Sequence, residues 1–319
     1  MGRVVAMRAP TRVDFGGGWT DVPPYAEREG GVVCAAALAR YATARLAASD
    51  DTSAPPPDSP LVRAALARAG LADAVRVALR SDFPVGAGLG GSSAASAALL
   101  GALDVWRGIR IDRVAIAERG RAIEVEDLGV AGGRQDHYCA THGGVLDLTF
   151  GATVGVRRLA LPPALRAELE QRCTLVYTGE SRVSGRTITG VLEGYRRGEK
   201  RVTFALARLR ELAQQMITAL ERADVDSLAA LVGEHWTHQR TLHPDIPTPR
   251  IDAIVDQAAR AGALGAKATG ASGGGCVLVI ARAGREDAVA RAVGALGAVV
   301  PFTLDEQGLT SCDWNAETP

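Results

Sequence analysis

Asp82-Phe83-Pro84-Val85-Gly86-Ala87-Gly88-Leu89-Gly90-Gly91-Ser92-Ser93-Ala94 is the stretch from which the rest of the chain is read. Four glycines fall within six residues, two serines follow, and from Ser92 to Val105 the sole charge is Asp104. A helix this apolar lies inside a protein. Its first turn carries unpaired N–H groups and the positive end of the helix dipole, and glycines ahead of it let the backbone close around an anion. The stretch reads as a phosphate cradle with Ser92 and Ser93 at its mouth. The plainer alternative is a glycine loop in which one serine is an ordinary N-cap. Gly86-x-Gly88-x-x-Gly91 has the spacing of a dinucleotide fingerprint, but Asp82 and Pro84 interrupt the direct passage from strand to loop. The nearest suitable acid downstream, Asp112, reads as a helix cap. A P-loop needs Gly-Lys-Ser/Thr at the helix start, and this loop holds no lysine.

The 319 residues are enough for about two domains. Lys+Arg and Asp+Glu are both 36, so charge points neither to nucleic acid nor to an anionic membrane. The apolar run Val32 to Ala39 is too short to span a bilayer, and no secretory pattern opens the chain. Cysteines at 34, 139, 173, 276 and 312 are odd in number and lack Cys-x-x-Cys spacing. That fits a reduced, cytoplasmic setting and not a structural zinc site.

Before the cradle, Val4 to Phe15 reads as a strand broken by Pro10, and Arg12 and Asp14 share one of its faces. An Arg–Asp pair closing a loop is the plain account of those two. The strand runs into Gly16-Gly17-Gly18-Trp19-Thr20-Asp21-Val22-Pro23-Pro24-Tyr25, where Asp21 stands between a turn and a Pro-Pro stop. Val32–Leu38 and Thr43–Leu46 read as short strands, 51–60 as an exposed loop, Leu61–Ala69 as helix and Ala74–Leu79 as strand. After the cradle, Asp112 caps a helix expected to run to about Glu126, with Glu118, Glu124 and Glu126 on a solvated face. Glycine pairs at 132–133 and 143–144 bracket Asp136, which is either a base held against a substrate hydroxyl or the cap of a helical turn. His137 and His142 lack the partners of a metal site. Leu161-Pro162-Pro163 reads as a boundary, followed by a strand at Cys173–Tyr177 and helices over 184–196, 200–222, 226–241 and 250–261. His235, His238 and His243 read as surface or core-edge side chains. A last glycine cluster, Lys267 to Gly275, precedes a strand at Val277–Ala281; a helix over 285–293 and a strand at Val299–Leu304 close an α/β sandwich.

Three glycine loops, each beside a particular polar set, form a pattern. Ala9-Pro10-Thr11-Arg12-Val13-Asp14-Phe15, Pro84-x-x-x-Gly88-Leu89-Gly90-Gly91-Ser92-Ser93-Ala94 and Lys267-x-Thr269-Gly270-Ala271-x-Gly273-Gly274-Gly275 resemble, in order, the three motifs of the GHMP kinase superfamily. That superfamily includes galactokinases, homoserine kinases and mevalonate kinases. Gly17-Gly18-Trp19-Thr20-Asp21-x-Pro23-Pro24-Tyr25, Gln135-Asp136-x-Tyr138 and the extra Gly91 resemble the fucokinases and the D-glycero-D-manno-heptose 7-phosphate kinases. Tyr177-Thr178-Gly179-x-Ser181-Arg182 is most similar to the heptose kinases. His137, in place of a glutamine, and Ser272, in place of a glycine, depart from the pattern.

The resemblance implies a two-domain α/β (α+β) fold. Residues 1–165 would be ribosomal-protein-S5-domain-2-like and carry the cradle and catalytic residues; 166–319 would be ferredoxin-like. It implies an enzyme that uses ATP and Mg²⁺ to phosphorylate the anomeric C1 hydroxyl of a sugar, first of all D-glycero-D-manno-heptose 7-phosphate. An unphosphorylated sugar such as fucose is the alternative. Asp136 would be the base, and Arg12 would steady it and the charge on the transferring phosphoryl group. Ser93, with Ser92, and Glu124 would hold Mg²⁺, Glu124 lying twelve residues before Asp136. ATP would meet Pro84, Gly86, Gly88, Leu89, Gly90, Gly91, Ser92 and Ser93. The sugar would meet Gly17, Gly18, Trp19, Thr20, Asp21 and Tyr25, and Arg182 its remote phosphate. Thr269, Gly270, Gly273 and Gly274 would form the third loop. The expected partner is a small sugar or sugar phosphate, with no nucleic acid, no membrane, and a homodimer left open. A non-catalytic sugar or ATP sensor on the same fold is the rival of another class; the presence of Arg12, Glu124 and Asp136 stands against it. A decarboxylating relative acting on a diphosphate acid is opposed by Trp19-Thr20-Asp21.

Overall fold

Two antiparallel sheets carry the chain, and the computed structural model describes residues 3–48, 59–72, 74–180 and 185–315. The first part of the chain supplies β1 (Val4–Gly16), α1 (Tyr25–Glu29), β2 (Gly31–Ala48), α2 (Pro60–Ala69), β3 (Val75–Ser81), α3 (Gly91–Trp106), α4 (Arg113–Ala122), α5 (Gln135–His142), β4 (Val145–Phe150) and β5 (Val154–Leu159). The rest supplies α6 (Pro163–Arg172), β6 (Cys173–Tyr177), α7 (Gly185–Arg196), α8 (Lys200–Glu221), α9 (Val225–Gln239), α10 (Pro249–Ala261), β7 (Ala263–Ala268), β8 (Cys276–Ala281), α11 (Glu286–Gly294), β9 (Ala298–Val300) and β10 (Thr310–Ser311). The first sheet runs β10-β1-β2-β4-β5, with β3 also on β2; the second runs β7-β8-β6-β9. Helices enter the second sheet between its first and second strands and again between its third and fourth. That is the split βαββαβ arrangement of a ferredoxin-like unit.

Pro10 explains the longest strand. It has no N–H to give, and between Pro10 and Thr11 the β1–β2 register shifts, so that Ala39 and Arg40 of β2 are passed over. The irregularity lets both strands continue, so β1 is unbroken and the two short strands expected at Val32–Leu38 and Thr43–Leu46 are one. Asp112 caps α4 as expected, accepting from the Ala115 N–H at 3.0 Å. That helix ends at Ala122 and passes into a π-helical turn, Ile123–Asp127, which carries Glu124. The Pro-Pro stop opens α1, Leu161-Pro162-Pro163 opens α6, and the alanine-rich segment before the last glycine loop is strand β7. The closing strand is only Ala298–Val300; beyond it Leu304 bridges to Leu38, and β10 pairs with Met7 and Arg8 of β1. A division at residue 165 falls inside α6, and the chain's last strand returns to the first sheet.

The buried helix is α3. Gly90 caps it in the left-handed conformation, and its one charge, Asp104, is paired by Arg119 of α4 at 2.9 Å. One core cluster spans both sheets: Val13, Phe15 and Leu38 of the first pack with Leu175 and Leu278 of the second and with Leu212 and Met216 of α8. This shared core fixes β1 against β6 and β8, the relation on which the site depends. No helix among the described residues is long and apolar enough to cross a membrane.

Candidate active site

Arg12 lies midway along β1 and is 4% exposed. Its Nε donates to Asp136 Oδ1 at 2.7 Å, its Nη2 to Asp136 Oδ2 at 3.0 Å and its Nη1 to the Gly88 carbonyl at 2.7 Å. The Arg12 N–H donates to the Leu89 carbonyl at 2.9 Å. One arginine therefore ties β1, the cradle and α5 together. Burial works against its charge, but Asp136 and Asp14 outweigh that and raise its pKa above the ordinary arginine value. Asp14 does not pair with Arg12; it accepts from Lys267 Nζ at 2.6 Å and from the Gly270 N–H at 3.4 Å. The two charges on one strand face thus serve two different loops.

The cradle is shaped by left-handed residues at alternate positions: Gly86, Gly88 and Gly90 have φ of 75°, 70° and 71°. Such alternation gathers successive N–H groups into an anion-binding concavity. A Cβ on Gly88 would stand 3.1 Å from the Thr269 carbonyl, one on Gly90 3.2 Å from the Asp136 side chain, and one on Gly275 2.8 Å from the Ala87 carbonyl. The Cys276 N–H donates to that Ala87 carbonyl at 2.8 Å. The second and third glycine loops are therefore in direct contact, with Asp136 at the rim.

Asp21 is buried and accepts from the N–H groups of Arg134 at 2.8 Å and Gln135 at 3.0 Å. A Cβ on Gly133 would overlap its carboxylate. Burial pushes the Asp21 carboxyl up to about 6 although those N–H bonds pull the other way. Glu124 belongs to no solvated face: burial, then the neighbouring Asp136 charge, push it up to about 7, with Arg121 opposing. Its Oε2 lies 3.6 Å from Nε2 of His137, which burial drops to about 4 and so keeps neutral at pH 7.

These groups meet on one cavity of about 670 Å³. Its wall includes Arg12, Trp19, Asp21, Pro84, Gly86, Gly88 through Ser93, Glu124, Asp136, Thr269, Gly270 and Gly274. Gly17, Gly18, Thr20, Tyr25 and Gly273 are not brought to it. A Cβ on Gly17 would overlap the Val32 carbonyl, and one on Gly18 would stand 2.8 Å from Asp14 Oδ2, so these glycines admit protein and not ligand. The Thr20 hydroxyl donates to the Gly17 carbonyl at 2.7 Å and accepts from the Val32 N–H at 3.1 Å. Tyr25 packs edge to face on Tyr195, 5.4 Å between ring centres, inside a core cluster. Arg182 lies outside the described residues. His235 is fully buried, not at a core edge, and its Nε2 accepts from the Gly17 N–H at 3.0 Å. Lys267 and Gly133 were given no role of their own by sequence. The signal for Lys267 was its lone charge in an apolar run; for Gly133 it was its place in a glycine pair.

Two family regions match the chain: the GHMP kinases N terminal domain over residues 60–144 and the GHMP kinases C terminal domain over residues 216–299. A D-glycero-alpha-D-manno-heptose 7-phosphate kinase of Campylobacter jejuni is 32% identical over 61% of this chain. A bifunctional fucokinase/GDP-fucose pyrophosphorylase of Arabidopsis thaliana is 27% identical over 88% of it. The chain spans 58% and 30% of those two relatives' own lengths. In fold, it is similar to a D-glycero-D-manno-heptose 1-phosphate kinase from Bacteroides thetaiotaomicron, with a TM-score of 0.78 at 24% identity over 98% of this chain and 100% of the other. With both family regions in their order and Arg12, the glycine cradle and the Thr269–Gly274 loop meeting at one cavity, the chain belongs to the GHMP kinases.

Proposed function

We propose that the protein is an ATP- and Mg²⁺-dependent sugar kinase that phosphorylates the anomeric C1 hydroxyl of D-glycero-D-manno-heptose 7-phosphate. The observation that carries this reading is the doubly hydrogen-bonded Arg12–Asp136 pair at the rim of the glycine cradle. The Campylobacter relative supports the choice of sugar. A fucokinase-type reading is second, favoured by the longer match to the Arabidopsis relative.

In this reading the cradle N–H groups and the α3 N-terminus hold the triphosphate. Asp21 accepts a hydrogen bond from a sugar hydroxyl and sets the ring against Asp136. Arg12 uses one N–H to hold the Gly88 carbonyl and two to hold the base, so cradle and base keep a fixed separation. Each Asp136 oxygen keeps a second lone pair for the substrate. The proton of the C1 hydroxyl passes to Asp136 as the new O–P bond forms and the bond to ADP breaks. Little else is asked of the protein, because phosphoryl transfer depends on positioning and charge stabilisation.

Among the described residues no three His, Cys, Asp or Glu side chains gather as a metal cage. The buried Ser93 hydroxyl and the Glu124 carboxyl, both on the cavity wall, would offer two ligands. That suits Mg²⁺, which keeps waters and takes its remaining ligands from substrate phosphates. When bound, the ion offsets charge on the triphosphate. Initial rates with ATP against heptose 7-phosphate, heptose, fucose and galactose test the reading. Highest kcat/KM on heptose 7-phosphate is expected; highest kcat/KM on fucose would replace it with the second reading.

A further inference from the structure

One buried imidazole beside the proposed base has no task in the chemistry above. His137 follows Asp136 on α5 and is 1% exposed, and neither of its ring nitrogens has a hydrogen-bond partner among the described residues. Polar groups buried in that way cost free energy, and native proteins keep few of them. The place of the ring is nevertheless built. A Cβ on Gly120 of α4 would stand 2.8 Å from His137 Cδ2 and 3.4 Å from its Nε2, so a side chain at 120 would displace the imidazole.

His137 makes one ion-pair contact among the described residues, with Glu124, whose Oε2 lies 3.6 Å from Nε2. The Glu124 carboxylate has no other ion pair among them. Glu124 sits on the π-helical turn that follows α4 and lines the cavity with Gly132 and Asp136. Burial keeps the ring neutral at pH 7, so it has one N–H to give. An ionised carboxylate can only accept, and facing Nε2 it draws that proton to Nε2. The contact is a few tenths of an ångström longer than a hydrogen bond, and hydrogen bonds in catalytic sites commonly tighten when the reactants bind.

We infer that His137 is a positioning residue, whose Nε2–H holds one oxygen of Glu124 and leaves the other for Mg²⁺. The inference rests on the reading of Glu124 as a Mg²⁺ ligand and deepens it. Groups that hold a metal ligand, without touching the metal, set its orientation and basicity. The departure from the family pattern at this position then has a physical account: the glutamine of the pattern and the histidine found here both end in a neutral N–H donor.

The test follows metal binding without turnover. The probe is Mn²⁺, which takes the same oxygen ligands, titrated into the full chain at saturating ADP, with the free ion read by its EPR signal. His137→Met removes the N–H and fills the space, and is expected to raise the Mn²⁺ Kd by about tenfold to a hundredfold, the usual effect of losing such a partner. His137→Leu takes its place if the methionine variant does not fold. His137→Gln restores an N–H donor and should stay within a few-fold of the wild type. In a Glu124→Gln background, His137→Met should add little further loss, because the two side chains act as one unit. A wild-type Kd in the methionine or leucine variant, with Glu124→Gln weakened, overturns the positioning role alone. So does a glutamine variant at 137 as weak as the apolar ones, or an equal further loss in the double variant. A wild-type Kd in Glu124→Gln overturns the reading of Glu124 as a ligand and the inference with it.

Discussion

At the scale of single residues the proposed chemistry turns on Asp136 and Asp21, two carboxylates held differently. Asp136 is gripped by the Arg12 guanidinium, whereas Asp21 is held by two backbone N–H groups within a buried pocket. Asp136→Asn keeps the shape and removes the proton acceptor, so kcat is expected to fall by about 10² to 10⁴. Nucleotide binding, followed by fluorescence titration, should stay within a few-fold. A variant keeping more than about a tenth of wild-type kcat would show that Asp136 is not the base. Asp21, pushed up to about 6, is mostly a carboxylate at pH 7 and takes up its proton as the pH falls through that value. Protonation removes an acceptor for a sugar hydroxyl. KM for the sugar should therefore rise from pH 7 to pH 5, and this rise should be absent in Asp21→Asn. A KM that is flat over that range in the wild type would take Asp21 out of sugar binding.

At the scale of elements, the cradle works because glycines allow two loops to touch. Gly88→Ala would place a side chain at φ 70° and 3.1 Å from the Thr269 carbonyl. The left-handed conformation alone costs about 1–2 kcal/mol for an L-residue, so KM for ATP should rise on the order of tenfold, with KM for the sugar moving less. Equal changes in both would mean that the loop serves the whole site and not the nucleotide. The cradle, its buried helix and the Asp112 cap were legible in the sequence because each is set by neighbours along the chain. The partner of Asp14 was not, because Lys267 lies over two hundred residues away, and the link from Arg12 to Asp136 came only through the family resemblance, not from residues near it in the chain. The same holds for Gly17 and Gly18, which look like a substrate loop in sequence but make room for Val32 and Asp14. The π-helical turn that carries Glu124 has no local signal beyond a helix that seemed to continue. Pro10 reads as a strand breaker in isolation; only the two residues passed over in β2 let the strand run on.

At the scale of the whole molecule, the site lies between two sheets, and one fully buried ion pair joins them. Lys267 of β7 is 0% exposed, and its Nζ donates to both the carboxylate and the carbonyl of Asp14 on β1. Burial lowers the Lys267 pKa despite Asp14, whereas on Asp14 burial is outweighed by the Lys267 and Arg12 charges, which hold the carboxyl below its usual range, so the attraction answers desolvation for the carboxylate and not for the ammonium. Lys267→Met alone strands a buried carboxylate and should destabilise the fold by about 3–5 kcal/mol in denaturant unfolding. Adding Asp14→Leu should recover part of that loss. A double variant less stable than the single one would show that the pair contributes net stability. Behind all of these stands the claim that this cavity joins a phosphoryl group to the anomeric oxygen of a sugar. Phosphorus NMR of the product formed from ATP and D-glycero-D-manno-heptose 7-phosphate tests it most directly. The predicted result is a second sugar phosphate signal coupled to the anomeric proton, formed in step with ADP; ADP without that signal, or a new phosphate on any other carbon, would contradict it.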